Sequence, residues 1–135
     1  MRTALDSSVV ILLQRRQPGW ERWRDALTVA ATEGMLIICP VAFAECSTGY
    51  PSVEIALREF EGIQVHFDPL SPESSYLAGQ TFLRYRRQGG PRHHLIPDFL
   101  IAAHAIVQAE RLAAIDRGYL HRYFPTLNLL APTAN

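Results

Sequence analysis

The stretch of sequence that decides the fold is Met35-Leu36-Ile37-Ile38-Cys39-Pro40. Five consecutive apolar residues closed by a proline are typical of a short strand that is buried on both faces. Helical spacing precedes this strand over residues 20–32 and follows it over residues 41–48. Because apolar strands separated by helices are typical of α/β proteins, a mainly parallel sheet is predicted. The other strands are predicted at residues 3–5, 63–67, 112–115 and 127–130.

Serine, glycine and proline mark the ends of the other predicted helices. Ser7 and Ser8 are expected to cap a helix over residues 9–16, which Pro18-Gly19 ends. No repeat, low-complexity tract or linker-like stretch interrupts the alternation, so a single domain is expected over residues 1–135. Further helices are predicted at residues 51–62, 71–88 and 97–111.

The composition is that of a compact globular protein. Of the 135 residues 48% are hydrophobic, and no run reaches the roughly 18 apolar residues that cross a membrane. The chain begins with a strand and lacks the charged and apolar regions of a secretory signal, so a cytoplasmic protein is expected. Cys39 and Cys46 lie among apolar residues and are expected to be reduced core residues.

Four acidic residues stand where an apolar strand ends or a helix begins. Asp6 follows the first strand, and Glu45 lies on the helix after the second. Asp98 is in the first turn of a helix, and Asp116 ends the fourth strand. Strand ends converge at one edge of a parallel sheet, so the acids are expected to meet, although close carboxylates repel by roughly 4 kcal/mol. A compensating cation is therefore expected, and oxygen ligands favour Mg²⁺ or Mn²⁺ and phosphoryl chemistry.

Each acid taken alone also has a structural explanation. Asp98 would interact favourably with the helix dipole, and Asp116 before Arg117-Gly118 would suit a turn. Glu45 is harder to explain in this way, because its neighbours are apolar and an unpaired charge there is costly. The coincidence of four such placements is what favours a metal site.

Positive charge is local, although the net charge is zero. All 13 basic residues are arginines, and no acid lies between Glu73 and Asp98. An arginine fork can hold a phosphate with two hydrogen bonds, so this segment is a candidate RNA-binding patch. A solvated helix end and loop is the structural alternative. The candidate residues are Arg84, Arg86, Arg87 and Arg92.

Several motifs resemble those of PIN-domain proteins, in particular the VapC-type toxin ribonucleases of bacterial toxin–antitoxin pairs. Leu5-Asp6-Ser7-Ser8 resembles the first-strand signature of the family, and Pro40-Val41-Ala42-Phe43-Ala44-Glu45 its glutamate helix. Pro97-Asp98-Phe99-Leu100-Ile101-Ala102-Ala103-His104-Ala105 is similar to the third acidic motif. Asp116-Arg117-Gly118-Tyr119 resembles the carboxy-terminal segment, so the resemblance runs from end to end.

The resemblance implies a three-layer sandwich, in which helices cover both faces of a five-stranded, mainly parallel sheet. It also implies a Mg²⁺- or Mn²⁺-dependent endoribonuclease, in which activated water attacks a phosphodiester. Carried over by motif, Asp6, Glu45, Asp98 and Asp116 are the catalytic and metal-binding acids, and Ser8 supports their hydrogen bonds. Ala114 departs from the family, which often has Thr or Ser two residues before its fourth aspartate.

The resemblance further implies a VapB-like antitoxin partner and a homodimer. Trp20, Trp23 and Leu27, with Leu12 and Leu13, are the expected docking surface. Two other functions remain open: a catalytically weak binding module that acts through its antitoxin, and a metal-dependent nuclease for DNA. His104, among alanines, is expected to be a packed core residue rather than a metal ligand.

Overall fold

The computed structural model describes residues 1–91, 96–115 and 118–132 of the chain. Short strands alternate with helices throughout these ranges. The elements are β1 (Thr3–Leu5), α1 (Ser7–Gln14), α2 (Trp20–Glu33), β2 (Leu36–Ile38), α3 (Pro40–Cys46), α4 (Val53–Gly62), β3 (Val65–Phe67), α5 (Pro72–Arg87), α6 (Ile96–Gln108), β4 (Arg111–Ala113), α7 (Tyr119–Tyr123) and β5 (Leu129–Leu130).

The five strands form one parallel sheet in the order β3-β2-β1-β4-β5. The central strand β1 pairs with β2 on one side and β4 on the other, so that Thr3 lies opposite both Leu36 and Arg111. The residues of β1 and β2 are all buried, which is why these strands read as unbroken apolar runs. The parallel sheet confirms the predicted α/β fold class.

The path of the chain creates a crevice above β1 and β4. From β1 the chain continues towards β2 and β3, whereas from β4 it continues in the opposite direction, towards β5. Right-handed crossovers therefore place α1–α4 on one face of the sheet and α5–α7 on the other. Ligands of open α/β sheets bind at such a point of reversal, beyond the carboxyl ends of the strands. Asp6 lies at this point, directly after β1.

A cluster of aromatic residues fills the layer between the sheet and α5. Tyr85 and Phe99 are fully buried, with ring centroids 5.2 Å apart, and Tyr123 of α7 lies 4.9 Å from Tyr85. The sequence patterns did not predict α7, because a single helical turn has no repeating apolar spacing. Two adjacent aromatic residues at its carboxyl end explain why it forms, since Tyr123 and Phe124 are both buried in this cluster.

Several predicted boundaries are wrong by two or three residues, and for two of them the structure shows the cause. Helix α1 begins at Ser7 instead of Val9, because Asp6 rather than a serine is its N-cap residue. Helix α6 ends at Gln108 instead of residue 111, because Arg111 pairs with Thr3 and belongs to β4. Cys39 and Cys46 are buried and unbonded to each other, as predicted. Within the described ranges, no helix combines the length and apolar character needed to span a bilayer.

Candidate functional site

Asp6 joins the end of the central strand to the first helix. Its backbone N–H donates to the carbonyl oxygen of Ala113 at 2.9 Å, which ties the end of β1 to the end of β4. Its carboxylate Oδ2 accepts from the N–H of Ser8 at 3.0 Å and so caps α1. The side chain is half-buried. Capping therefore fixes the orientation of a carboxylate at the crevice.

Ser8 connects Asp6 to the end of β4. Its hydroxyl donates to Asp6 Oδ2, and its Oγ accepts from the N–H of Ile115 at 3.3 Å. Ala114, where the family often has a hydroxyl, is buried. The Ser8 hydroxyl thus lies beside the segment in which the family residue is missing, and its role in supporting the site stays a prediction.

Glu45 projects from α3 towards the same crevice. Burial of its carboxyl group raises its pKa above the ordinary value of 4.5, although the side chain as a whole is exposed. The charges of Asp6 and Asp98 raise the pKa further, while a hydrogen bond with Ser7 opposes the rise. Asp6 and Asp98, from two other segments of the chain, are thus close enough for their charges to act on the Glu45 carboxyl group.

Asp98 stands in the first turn of α6 and is half-buried. The next residue, Phe99, is fully buried in the aromatic cluster and fixes this turn against α5. Burial, with the neighbouring Tyr123 and Asp98, raises the pKa of the Tyr85 hydroxyl, and that hydroxyl donates to the carbonyl oxygen of Pro91. The aromatic cluster therefore holds Pro91 and the first turn of α6 against α5.

The donor types of the three acids fit a hard divalent cation, since Mg²⁺ and Mn²⁺ prefer carboxylate oxygens. A cation would also relieve the repulsion that raises the pKa of Glu45. Asp116 lies outside the described residues. Among those that are described, no three acids, histidines or cysteines are close enough to hold a metal ion. Metal binding by Asp6, Glu45, Asp98 and Asp116 therefore stays a prediction.

Neither cysteine near the acids is suited to bind a metal. Burial raises the pKa of the Cys46 thiol to about 12, and the charges of Glu45 and Asp6 add to the rise. Burial also raises the pKa of Cys39. Because a thiol must lose its proton to become a metal ligand, both cysteines act here as small core residues.

The candidate RNA-binding arginines lie at the end of α5. Arg84, Arg86 and Arg87 occupy its last turn, and all three are exposed. Positive charge at this end is favourable to the helix dipole, which gives the cluster a structural reason as well. In the described ranges none of the three forms an ion pair with an acid. Arg92 lies outside those ranges, and phosphate binding by the cluster stays a prediction.

His104 is a packed core residue, as predicted. It is 1% exposed, and its Nε2 lies 2.8 Å from Oδ2 of Asp68. Burial lowers the pKa of the imidazole, and Asp68 opposes that shift. The amide of Gln108 donates to the same carboxylate oxygen at 3.0 Å and to the carbonyl oxygen of Pro69 at 2.8 Å. These bonds hold the last turns of α6 to the segment after β3.

Sequence reasoning missed the role of Ser7, which was assigned to helix capping. Ser7 instead lies close enough to the Glu45 carboxyl group to lower its pKa, against the effect of burial. Its position directly after Asp6 was the available signal, because it places a hydroxyl at the end of the central strand. Glu45 lies 38 positions further along the chain, and no local pattern joins residues so far apart.

Two of the five residues of the predicted docking surface belong to the core, since Trp23 and Leu12 are 8% and 7% exposed. The other three, Trp20, Leu13 and Leu27, line a groove of about 510 Å³ between α2 and the start of β3. A helical stripe of apolar residues marks a buried face, whether that face meets the core or a partner.

Comparison with known proteins agrees with this architecture. A family model described as "PIN domain" matches residues 3–124. No curated protein matches the chain. The fold resembles that of VapBC2 from Rickettsia felis bound to a DNA fragment from its promoter, with a TM-score of 0.73 and 18% identity over 96% of this chain and 97% of that chain.

Two further complexes contain a similar chain. One is VapBC-1 from nontypeable Haemophilus influenzae, with a TM-score of 0.69 and 19% identity. The other is DNA-bound VapBC from Salmonella typhimurium, with a TM-score of 0.67 and 20% identity. Each match covers 96% of both chains, and at these identities the likeness concerns the fold. The family match spans nearly the whole sequence and confirms the family expected from the acidic motifs: the chain belongs to the PIN domain family.

Proposed function

We propose that this protein is a metal-dependent endoribonuclease and the toxin of a toxin–antitoxin pair. The observation that carries the proposal is the position of Asp6 and Asp98 near Glu45, whose pKa is raised by burial and, in addition, by the charges of these two aspartates. These acids repel one another, and a bound cation would remove that repulsion. The repulsion therefore favours the binding of a cation. Membership of the PIN domain family supports nuclease chemistry at this crevice.

Mg²⁺ or Mn²⁺ bound by Asp6, Glu45, Asp98 and Asp116 would supply positive charge to the scissile phosphate and lower the pKa of a water molecule. The side chains of the protein supply position and a base. Ser8 orients Asp6, and Ser7 lies beside Glu45. One of these carboxylates accepts the proton that the water molecule loses.

The bond changes follow from attack by water in line with the leaving oxygen. Water loses a proton to one of the acids while its oxygen bonds to phosphorus, and the bond between phosphorus and the 3′-oxygen breaks. The 3′-oxygen gains a proton from solvent. The products therefore carry a 5′-phosphate and a 3′-hydroxyl.

Cleavage of total cellular RNA by the purified protein, free of any partner, tests this function. Discrete cuts are expected with Mg²⁺ or Mn²⁺ and none with EDTA, and Asp98→Asn is expected to lower the rate at least a hundredfold. Asp25→Asn is the matched control, because Asp25 is an exposed acid on α2. That variant should cut like the parent protein.

Three results would redirect the proposal. A 2′,3′-cyclic phosphate product would show that the 2′-hydroxyl of RNA attacks instead of water. Equal cleavage of single-stranded DNA would favour the DNA nuclease. A folded protein that binds neither Mn²⁺ nor Mg²⁺ in calorimetry would favour the binding module that acts through its partner.

An antitoxin is the proposed protein partner. The support comes from the similar solved structures, which are VapBC complexes, and from the groove between α2 and β3. Its floor includes Leu13 and Val65, and the guanidinium groups of Arg16 and Arg24 each lie 5.1 Å from the ring of Trp20. Such a groove suits an apolar segment that carries acidic residues.

Co-expression with the product of a short reading frame just upstream tests this partner. Arg24→Glu is expected to weaken the complex, since it repels an acidic segment, while Arg58→Glu on α4 serves as an exposed control outside the groove. An unchanged affinity for Arg24→Glu would place the partner elsewhere.

We also propose a homodimer. Tyr76 and Leu83 of α5 are 71% and 43% exposed and lie seven residues apart, on one face of the helix. Light scattering should give twice the 15.2 kDa of one chain. Leu83→Glu is expected to give the mass of the monomer, and a monomeric parent protein would contradict the proposal.

A further inference from the structure

A second cavity shares the side chain of Glu45 with the acidic crevice. It has a volume of about 420 Å³ and lies between the end of α1 and the segment after α3. Volumes of about 300–1,000 Å³ are typical of sites for small ligands. Besides Glu45, its polar lining comes from Gln14, Arg15, Thr48 and Tyr50. A ligand bound here would therefore touch one of the proposed metal ligands.

The ring of Tyr50 is held in place from two sides. The amide nitrogen of Gln14 donates to the Tyr50 hydroxyl at 3.3 Å and to the carbonyl oxygen of Cys46 at 2.9 Å. Phe60 packs against the same ring edge to face, with centroids 6.3 Å apart. Tyr50 is only half-buried, so part of a pre-oriented aromatic surface remains available in the cavity.

Arg15 supplies a positive charge at the same cavity. Its side chain is exposed, and it pairs with no acid in the ranges that the structure describes. A guanidinium group of this kind can hold a phosphate. The exposed hydroxyl of Thr48 adds a donor and an acceptor. An aromatic surface, a cation and a hydroxyl in one cavity are the groups that bind a nucleotide of single-stranded nucleic acid.

We propose that this cavity binds one nucleotide of the single-stranded RNA substrate, beside the phosphodiester that is cut. The base packs on Tyr50, and the phosphate of that nucleotide pairs with Arg15. Because Glu45 is shared, the bound nucleotide places the next phosphodiester at the acidic crevice. This assignment rests on the proposed ribonuclease function and names the residues that position its substrate.

The cavity differs in character from the groove between α2 and β3. That groove has an apolar floor, which suits a protein segment, and the two arginines beside it lie over Trp20. At the Glu45 cavity Arg15 makes no cation–π contact within the described ranges, and polar side chains share the walls with Ile11 and Cys46. RNA is therefore the favoured occupant here, and a protein segment is favoured at the groove.

Binding of fluorescein-labelled single-stranded RNA, measured by fluorescence anisotropy with Mg²⁺ present, tests the cavity. In this assay the Asp98→Asn variant serves as the parent protein, because it is expected to bind RNA without cutting it. Tyr50→Leu in that parent should raise the dissociation constant roughly tenfold, since stacking on an aromatic ring contributes about 1–3 kcal/mol per base. Tyr50→Phe retains the ring and should stay within about twofold of the parent.

Arg15→Gln tests the phosphate contact through the salt dependence of binding. Loss of one phosphate contact should reduce the slope of log K against log[salt] by about 0.7 for single-stranded RNA. Arg22→Gln, an exposed arginine on α2 outside the cavity, should leave the slope unchanged. Both arginines are exposed, so neither substitution disturbs the core.

The outcomes separate this proposal from the ribonuclease itself. If the wild-type protein cuts RNA while Tyr50→Leu and Arg15→Gln bind with the parent's affinity and slope, the cavity is not the nucleotide site and the ribonuclease stands. RNA that fails to bind the Asp98→Asn parent also overturns the assignment. If RNA binds as expected and the wild-type protein does not cut it, the cavity stands and the nuclease fails.

Discussion

At the scale of single residues, Asp6 combines a structural and a chemical position. Its Oδ2 caps α1, and its charge contributes to the raised pKa of Glu45. An N-cap aspartate is held by backbone N–H groups and needs no long side chain to fix its direction. The same bond that begins the helix therefore presents a carboxylate to the crevice above β1 and β4.

Removal of the Ser8 hydroxyl should weaken the site without unfolding the protein. In Ser8→Ala the carboxylate of Asp6 and the N–H of Ile115 each lose a partner, while the cap to the Ser8 N–H remains. We expect a loss of about 1 kcal/mol in the free energy of unfolding by urea, and weaker Mn²⁺ binding in calorimetry. Ser75→Ala is the control, since its exposed hydroxyl bonds only within α5. Equal Mn²⁺ affinity in both variants would exclude the proposed support.

The raised pKa of Glu45 predicts a pH dependence of stability in the absence of metal. A carboxyl whose pKa is higher in the folded state favours folding when protonated, so its contribution is lost as the pH rises above 4.5 towards the raised value. Glu45→Gln should therefore raise the melting temperature of the metal-free protein at pH 7. The gain should not exceed about 3 °C, because exposed charges interact weakly. Scanning calorimetry at pH 4 and pH 7 checks this, and an equal gain at both pH values would contradict it.

The sequence placed the three described acids correctly at strand and helix ends, because capping residues and apolar strands are local signals. The partners of these acids had no such signal. Ser7 affects the pKa of Glu45 across 38 positions, and Asp68 lies 2.8 Å from Nε2 of His104 across 36 positions. Pairs of this kind follow from how helices pack on the sheet, which local patterns do not specify.

At the scale of elements, the connection between α5 and α6 depends on close packing. A Cβ atom at Gly90 would lie 2.5 Å from the ring of Tyr85, which is fully buried. Gly90→Ala should therefore lower the free energy of unfolding by about 1–3 kcal/mol, as overpacking does. Gly79→Ala on α5 has open space around its Cβ atom and should raise that free energy by about 0.5–1 kcal/mol.

Urea unfolding of both variants and the parent protein measures the two effects. Circular dichroism before unfolding checks that each variant is folded. A stable Gly90→Ala protein would mean that Tyr85 can move, and the aromatic cluster would then be too loose to support the turn of Asp98.

Helix boundaries and short elements show where sequence signals end. The apolar runs predicted all five strands, and for β1 and β2 the reason is that strands buried on both faces leave an unbroken pattern. The end of α6 was misplaced because Arg111, a good helix former, bonds through its Nε to the hydroxyl of Thr3. A tertiary contact thus overrides local propensity.

At the scale of the whole molecule, a divalent cation should act as a stabilising ligand. A ligand at 100 times its dissociation constant stabilises the folded state by about 2.7 kcal/mol, which corresponds to about 5–10 °C for a domain of this size. Mn²⁺ should raise the melting temperature by this amount, and Asp98→Asn should remove most of the shift. Thermal scans with and without EDTA measure it, and Asp25→Asn again serves as the control. A shift that persists in Asp98→Asn would place the cation elsewhere.

The anchoring of α6 has a consequence for genetics. Asp98 lies in the first turn of this helix. His104 and Gln108, up to about 15 Å further along it, are hydrogen-bonded to Asp68. A substitution at Asp68 would let the helix slide or tilt. This movement would displace the Asp98 carboxylate near the other end of the helix. When production of this protein arrests cell growth, the cells that survive selection should carry substitutions at Asp68 and Gln108 as well as in the acids. Such substitutions would show that catalysis also depends on residues that only position the acids.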